Sequence, residues 1–157
     1  MSLDVPALRE SFALVVERAP HVTTRFYEIF FERYPQVRPM FGGQASARQQ
    51  DMLTKALAAV IDHLEDPGWL SQTLHGLGAR HVDYGVRDEQ YAWVGECLLA
   101  TLEEVAGEAW TPRVAEAWGT AYGAVAGLCI EGARQRRASM RTDGPTSSAS
   151  PRSSATP

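Results

Sequence analysis

The chain reads as an all-α domain of about six to eight crossed helices. Apolar residues recur at spacings of three and four through most of its length. No long period-2 run is present, and no Asn-Gly or Asp-Gly turn lies between β-branched stretches. Proline and glycine instead punctuate the helical runs.

The first run carries Leu8, Phe12, Val15 and Val16, with Asp4 as N-cap and Pro6 in the first turn. A second, over residues 21–34, is aromatic on much of its surface: Phe26, Tyr27, Phe30, Phe31 and Tyr34. A helix apolar nearly all round belongs at the centre. Pro35 ends it, and Pro39 implies a short irregular or single-turn segment reaching Phe41 before the Gly42-Gly43 joint. A long helix over 46–64 buries Leu53, Leu57, Val60, Ile61 and Leu64, and Asp66-Pro67-Gly68 breaks it. A short helix follows, on which Leu70, Leu74, Leu77 and His81 share one face; at about 100° per residue they fall within an arc of roughly 60°. Gly85 marks its end. Two long helices complete the domain. One carries Tyr91, Val94, Leu98, Leu102 and Val105; the other starts near Thr111-Pro112 and carries Val114, Trp118, Ala121, Val125 and Leu128.

At 157 residues, the chain accommodates one domain with a sizeable core. Residues 1–135 form that domain. From residue 136 the sequence turns to Arg, Ser, Thr and Pro with almost no apolar side chains, so 136–157 is expected to be a disordered tail, with a basic docking strip as the alternative. A net charge of −4 disfavours nucleic acid as a partner. No apolar run approaches the roughly 18–20 residues of a membrane span, and no secretory signal is read at the N-terminus, so a cytoplasmic location is expected. Cys97 and Cys129 lie in apolar patterns without metal-type spacing and read as small buried residues.

An imidazole on an apolar face needs a hydrogen bond, a charge or a metal. On spacing alone, a core histidine with a satisfied hydrogen bond is the commoner answer for His81. The wider pattern resembles the globins, specifically the bacterial haemoglobin and flavohaemoglobin lineage, over roughly residues 5 to 135. The resemblance rests on Phe26-Tyr27, on Pro35 followed by Phe41, on Arg80-His81 with Gly85, Tyr91, Val94-Gly95-Glu96 and Leu98-Leu99, and on Ala117-Trp118-Gly119 with Ala121-Tyr122-Gly123.

That resemblance implies haem b, with His81 as the iron ligand and His21, His63 and His75 elsewhere. It implies that Tyr91 borders the proximal histidine, although the glutamate expected to join it is Ala133 here, and Glu131 is displaced by about 200° around its helix. Phe41 would stack on haem, Leu53 would press on its distal surface, and Arg80 would either pair with a propionate or remain solvated. Tyr27 matches the distal tyrosine, which would stabilise bound dioxygen, with Gln49 assisting and Gln50 the alternative. The implied function is binding of dioxygen and conversion of nitric oxide to nitrate, with a separate reductase as partner because no glycine-rich dinucleotide fingerprint is present. The alternatives are a non-enzymatic oxygen carrier, buffer or gas sensor, or a haem-free helical interaction module. A homodimer is left open.

Overall fold

The computed structural model describes residues 3–43 and 45–149, with side chains to residue 142. The helices are α1 (Val5–Arg18), α2 (Val22–Arg33), α3 (Ala47–Asp62), α4 (Pro67–Asp83), α5 (Asp88–Ala106) and α6 (Pro112–Ala149). A 3-10 segment, Pro35–Phe41, links α2 to α3, and a single 3-10 turn, Gly107–Ala109, precedes α6. No strand is present among the described residues, as expected from the sequence.

Helix starts follow the capping residues. The Asp4 carboxylate accepts from the Ala7 N–H at 3.2 Å, Ser46 accepts from Gln49 at 3.1 Å, and Asp66 accepts from Trp69 at 3.1 Å. Each satisfies a backbone donor that the first helical turn leaves unpaired. Gly85, at φ +84, ends α4. There the Val86 N–H reaches back to the His81 carbonyl at 2.9 Å, the closing bond of a Schellman turn.

Two helix lengths differ from expectation. The helix carrying His81 is not short: α4 runs for 17 residues. Its internal glycines count against helix by propensity, but Gly78 is where α4 crosses α6. An added Cβ there would run into the Cys129 carbonyl, and one at Gly132 would run into the His75 carbonyl. The missing side chains let the two backbones approach closely. The last helix also passes residue 135 and continues to Ala149. Arg136 pairs with Asp83 at 3.3 Å and Arg137 with Asp88 at 3.0 Å, so the first arginines of the expected tail hold intramolecular carboxylates. The rest of that tail, residues 150–157, lies outside the described residues.

The core forms two clusters. The larger joins α1, α2, α5 and the first half of α6 around Leu8, Phe26, Phe30, Leu102 and Trp118. The smaller joins α4 to the start of α5 and the later part of α6 through Leu70, Leu74, Tyr91 and Cys129. Trp118 donates its indole N–H to Ser11 Oγ at 2.8 Å, fixing α6 against α1. Helix α3 rests lightly on α2 and α1 and makes little contact with α4. No helix among the described residues is long and apolar enough to cross a membrane.

Candidate functional site

His81 sits in the last turn of α4 and is half-buried. Its Nδ1 lies 2.9 Å from the Tyr91 hydroxyl, which comes from the first turns of α5. The Tyr91 backbone is held in turn, because the Tyr122 hydroxyl donates to the Tyr91 carbonyl at 2.6 Å. Tyr122 packs so closely on Gly95 that a Cβ there would collide with the ring. Burial, reinforced by the Arg80 charge, lowers the His81 pKa and favours the neutral imidazole. Neutral imidazole is the metal-binding form, and a hydrogen bond at Nδ1 leaves Nε2 as the free ligand atom. Arg80 is exposed.

Among the described residues, no carboxylate is hydrogen-bonded to this pair. Ala133 is buried, with 1% of its surface exposed. Glu131 turns to the surface, where it pairs with Arg134 at 2.7 Å. The hydroxyl of Tyr91 bonds to His81 alone among the described residues.

A second polar pair lies on α2 and α3. The Gln49 side-chain amide donates to the Tyr27 hydroxyl at 3.2 Å. Gln50 is engaged elsewhere: its Oε1 accepts from Thr24 at 2.6 Å and its amide donates to the Ala45 carbonyl at 3.3 Å. Tyr27 is 6% exposed and packs between Phe26, Phe31 and Phe41, whose ring centroids lie 5.0, 5.8 and 5.6 Å away. Burial raises the Tyr27 pKa, against a smaller opposing effect of Gln49, so the phenol keeps its proton. Because Tyr27 accepts from Gln49, that proton is left to donate, and it has no acceptor among the described residues.

The residues between these pairs fit a flat apolar group. Phe41, Leu53, Leu57 and Val60 belong to the partly buried apolar rim of the larger core. Leu77 and Val86 occupy the same position on the smaller one, and Val60 touches both. The stripe on α3 therefore has only part of its apolar surface covered by protein; Ile61 is the one residue of that helix in the buried core. A haem would cover such a stripe and present its iron to an imidazole with a free nitrogen. The other histidines are placed differently. His21 is exposed before α2, His63 stacks on Trp69 at 3.7 Å with its Nδ1 on the Ala59 carbonyl, and His75 lies beside the crossing with Gly132.

Sequence reasoning missed several supporting residues. Gly78 and Gly132 let α4 and α6 approach closely beside the site, and Gly95, named only within its motif, makes room for the Tyr122 ring; glycine inside a helical pattern was the available signal. Arg137 also donates to the Val86 carbonyl at 3.3 Å, clasping the turn after His81. That contact leaves no local pattern, since its partners are distant in sequence.

The Globin family model matches residues 24–129. A flavohemoprotein of Bordetella pertussis is 41% identical over 133 residues, covering 83% of this chain and 33% of that protein. A flavohemoprotein of Rhodopirellula baltica is 38% identical over 138 residues, covering 85% of this chain and 34% of its own length. The chain thus spans about a third of the length of the curated relatives it matches. Among solved structures, a bacterial globin from Campylobacter jejuni superposes with a TM-score of 0.72 at 26% identity, covering 83% of this chain and 94% of that one. A candidate nitric oxide dioxygenase from Rhodothermus marinus, engineered as a carbene transferase, gives 0.76 at 27% identity, covering 87% and 95%. The flavohemoglobin of Malassezia yamatoensis, with bound FAD and heme, gives 0.66 at 25% identity, covering 85% of this chain and 36% of that one.

Proposed function

The chain belongs to the globin family, and from that premise we propose that it binds dioxygen on a haem held by His81 and converts nitric oxide to nitrate when a separate reductase supplies electrons. Haem is the cofactor, in keeping with the family match and the flavohemoprotein relatives. When bound, it supplies the redox-active iron that dioxygen and nitric oxide require.

The chain's residues supply the rest. His81 would hold the iron through its free nitrogen, and Tyr91 fixes its ring through Nδ1. Phe41 and Leu53 cover the apolar surface of the haem, and Arg80 is free to meet a propionate at the edge. Tyr27 would offer its hydroxyl hydrogen to a diatomic ligand carrying partial negative charge. Gln49 holds the Tyr27 oxygen and so directs that hydrogen outward. The Gln49–Tyr27 bond carries the proposal, because it makes a buried phenol a positioned donor. Tight retention of dioxygen suits oxidation of nitric oxide better than delivery of oxygen.

Mixing the oxygenated protein with nitric oxide tests this directly. One nitrate per haem is expected in a single turnover, and repeated turnover once a flavin reductase and NADH are added. Oxygen release without nitrate would overturn the dioxygenase reading. A non-enzymatic carrier, buffer or sensor is the second reading, and Ala133 favours it. Without a carboxylate beside Tyr91, the imidazole is a weaker electron donor to iron. Nitrate formed once, with no turnover in the presence of reductase, would select that reading.

A further inference from the structure

On the face of α2 and α5, away from the His81–Tyr91 pair, a tyrosine, a tryptophan, a carboxylate and an arginine form a cluster that ligand binding does not use. The Tyr34 ring stacks on Trp93 with centroids 4.7 Å apart and planes within 5°. The Tyr34 hydroxyl donates to Glu96 Oε1 at 2.5 Å, within the range of a hydroxyl on a carboxylate. Arg33 holds the other Glu96 oxygen at 2.7 Å. Both partners keep the Glu96 carboxyl below its usual range, the Tyr34 bond more than the Arg33 bond, so the group is ionised and has an oxygen against the phenol. Glu96 is about half-exposed at 47%.

This cluster is continuous with the aromatic wall of the candidate pocket. Phe30 lies 6.4 Å from Tyr34 and 6.4 Å from Phe41, and Phe41 lies 5.6 Å from Tyr27. Phe30 is only 3% exposed. The rings therefore form an unbroken run from the expected haem surface, through the core, to a half-buried tyrosine with a proton acceptor in contact. Phenylalanine is too hard to oxidise to hold charge itself, but close-packed rings shorten the gaps an electron must cross.

We propose that Tyr34, Glu96 and Trp93 form an exit for oxidising equivalents, which protects the pocket when peroxide oxidises the haem. The proposal rests on the haem reading above. Hydrogen peroxide would be the oxidant: breaking its O–O bond and reducing both oxygens to the level of water takes two electrons and two protons, one electron supplied by Tyr34, the other by a one-electron reductant, and the protons by solvent. A phenol that has lost an electron is a strong acid, so the Tyr34 hydroxyl proton passes along the short hydrogen bond to Glu96. A neutral phenoxyl radical and a carboxylic acid result, and the pair goes from one negative charge to none. Stacking lets Trp93 share the radical and meet one-electron reductants at the surface. Without this exit, oxidation would fall on Tyr27 or Tyr91, the tyrosines of the pocket itself.

The test is rapid-freeze electron paramagnetic resonance of the haem-loaded chain mixed with hydrogen peroxide, alongside the decay of its Soret spectrum. The unmodified chain should give a tyrosyl signal within the lifetime of the oxidised haem. Tyr34→Phe keeps the stacked ring but has no hydroxyl; it should lose most of that signal and lengthen the oxidised spectrum several-fold. Glu96→Gln should cut the radical yield several-fold, because an amide takes the proton poorly. The same tyrosyl yield in Tyr34→Phe would overturn the exit and leave haem binding standing. An unchanged yield in Glu96→Gln would overturn the role of the carboxylate. A chain with no haem absorbance at all would overturn both readings.

Discussion

At the scale of single residues, the proposal that His81 is a ligand rather than a core histidine rests on the nitrogen left free. His81 shares its apolar stripe with Leu70, Leu74 and Leu77, and that much was legible in the sequence. The sequence could not show that Tyr91 would take Nδ1 at 2.9 Å and leave Nε2 available. Gln49 and Gln50 were similarly hard to separate, since both lie within about 60° of Leu53 on a helix. Side-chain bonding separates them: Thr24 and Ala45 occupy Gln50, and Tyr27 takes Gln49. Removing the Tyr27 hydroxyl should therefore weaken dioxygen binding specifically. A hydrogen bond to a partly charged ligand contributes about 1.5–3 kcal/mol. Tyr27→Phe should accordingly speed dioxygen dissociation by about ten- to a hundredfold in stopped-flow displacement. Carbon monoxide, a less polar ligand, should respond much less. Equal effects on both gases would assign the loss to altered packing.

Among the elements, the crossing of α4 and α6 positions the site, and glycines make it. Starts and stops were readable from Asp4 and Pro6, Asp66 and Pro67, and Gly85, because caps act locally. The lengths of α4 and α6 were not readable, because glycine propensity and a polar composition were outweighed by distant partners: the α6 backbone for Gly78, Asp83 and Asp88 for the arginines. Gly132→Ala should destabilise by about 1–3 kcal/mol, since the new Cβ strikes the His75 backbone and the helices must move apart. Gly119 meets nothing within 4 Å, so Gly119→Ala should be neutral or stabilise by about 0.4–1 kcal/mol. Thermal unfolding of both variants checks the contrast. Equal shifts would mean that the crossing is not close-packed.

Over the whole molecule, the two cores and the lightly held α3 between them leave an apolar stripe that protein does not finish covering. Periodicity showed this stripe, but a sequence pattern cannot show that its partner is missing. Arginine–carboxylate pairs tie the outer surface across long separations: Asp4 to Arg113 at 2.7 Å, Arg25 to Glu104 at 2.7 Å and Arg33 to Glu96 at 2.7 Å. These pairs, with the Tyr34 hydroxyl as the larger cause at Glu96, hold the Asp4, Glu96 and Glu104 carboxyls below their ordinary values. The unfolded chain then binds protons more readily than the folded one. Their stabilisation is complete above the ordinary carboxylate values of 3.8 and 4.5 and is lost as the pH falls below them. Each exposed pair contributes little, so the effect belongs to the set. Replacing Arg25, Arg33 and Arg113 together with methionine should flatten the fall in Tm between about pH 5 and pH 3. Parallel curves for variant and parent would show that the acid response arises elsewhere.

The central claim, a haem held by His81, is tested most directly by the ferrous, ligand-free absorption spectrum of His81→Gly loaded with haem, recorded with and without free imidazole. The parent should show the five-coordinate, histidine-ligated form. The variant should lose that spectrum and regain it when imidazole fills the vacated space. A variant spectrum identical to the parent without added imidazole would contradict the claim and move the iron to another ligand.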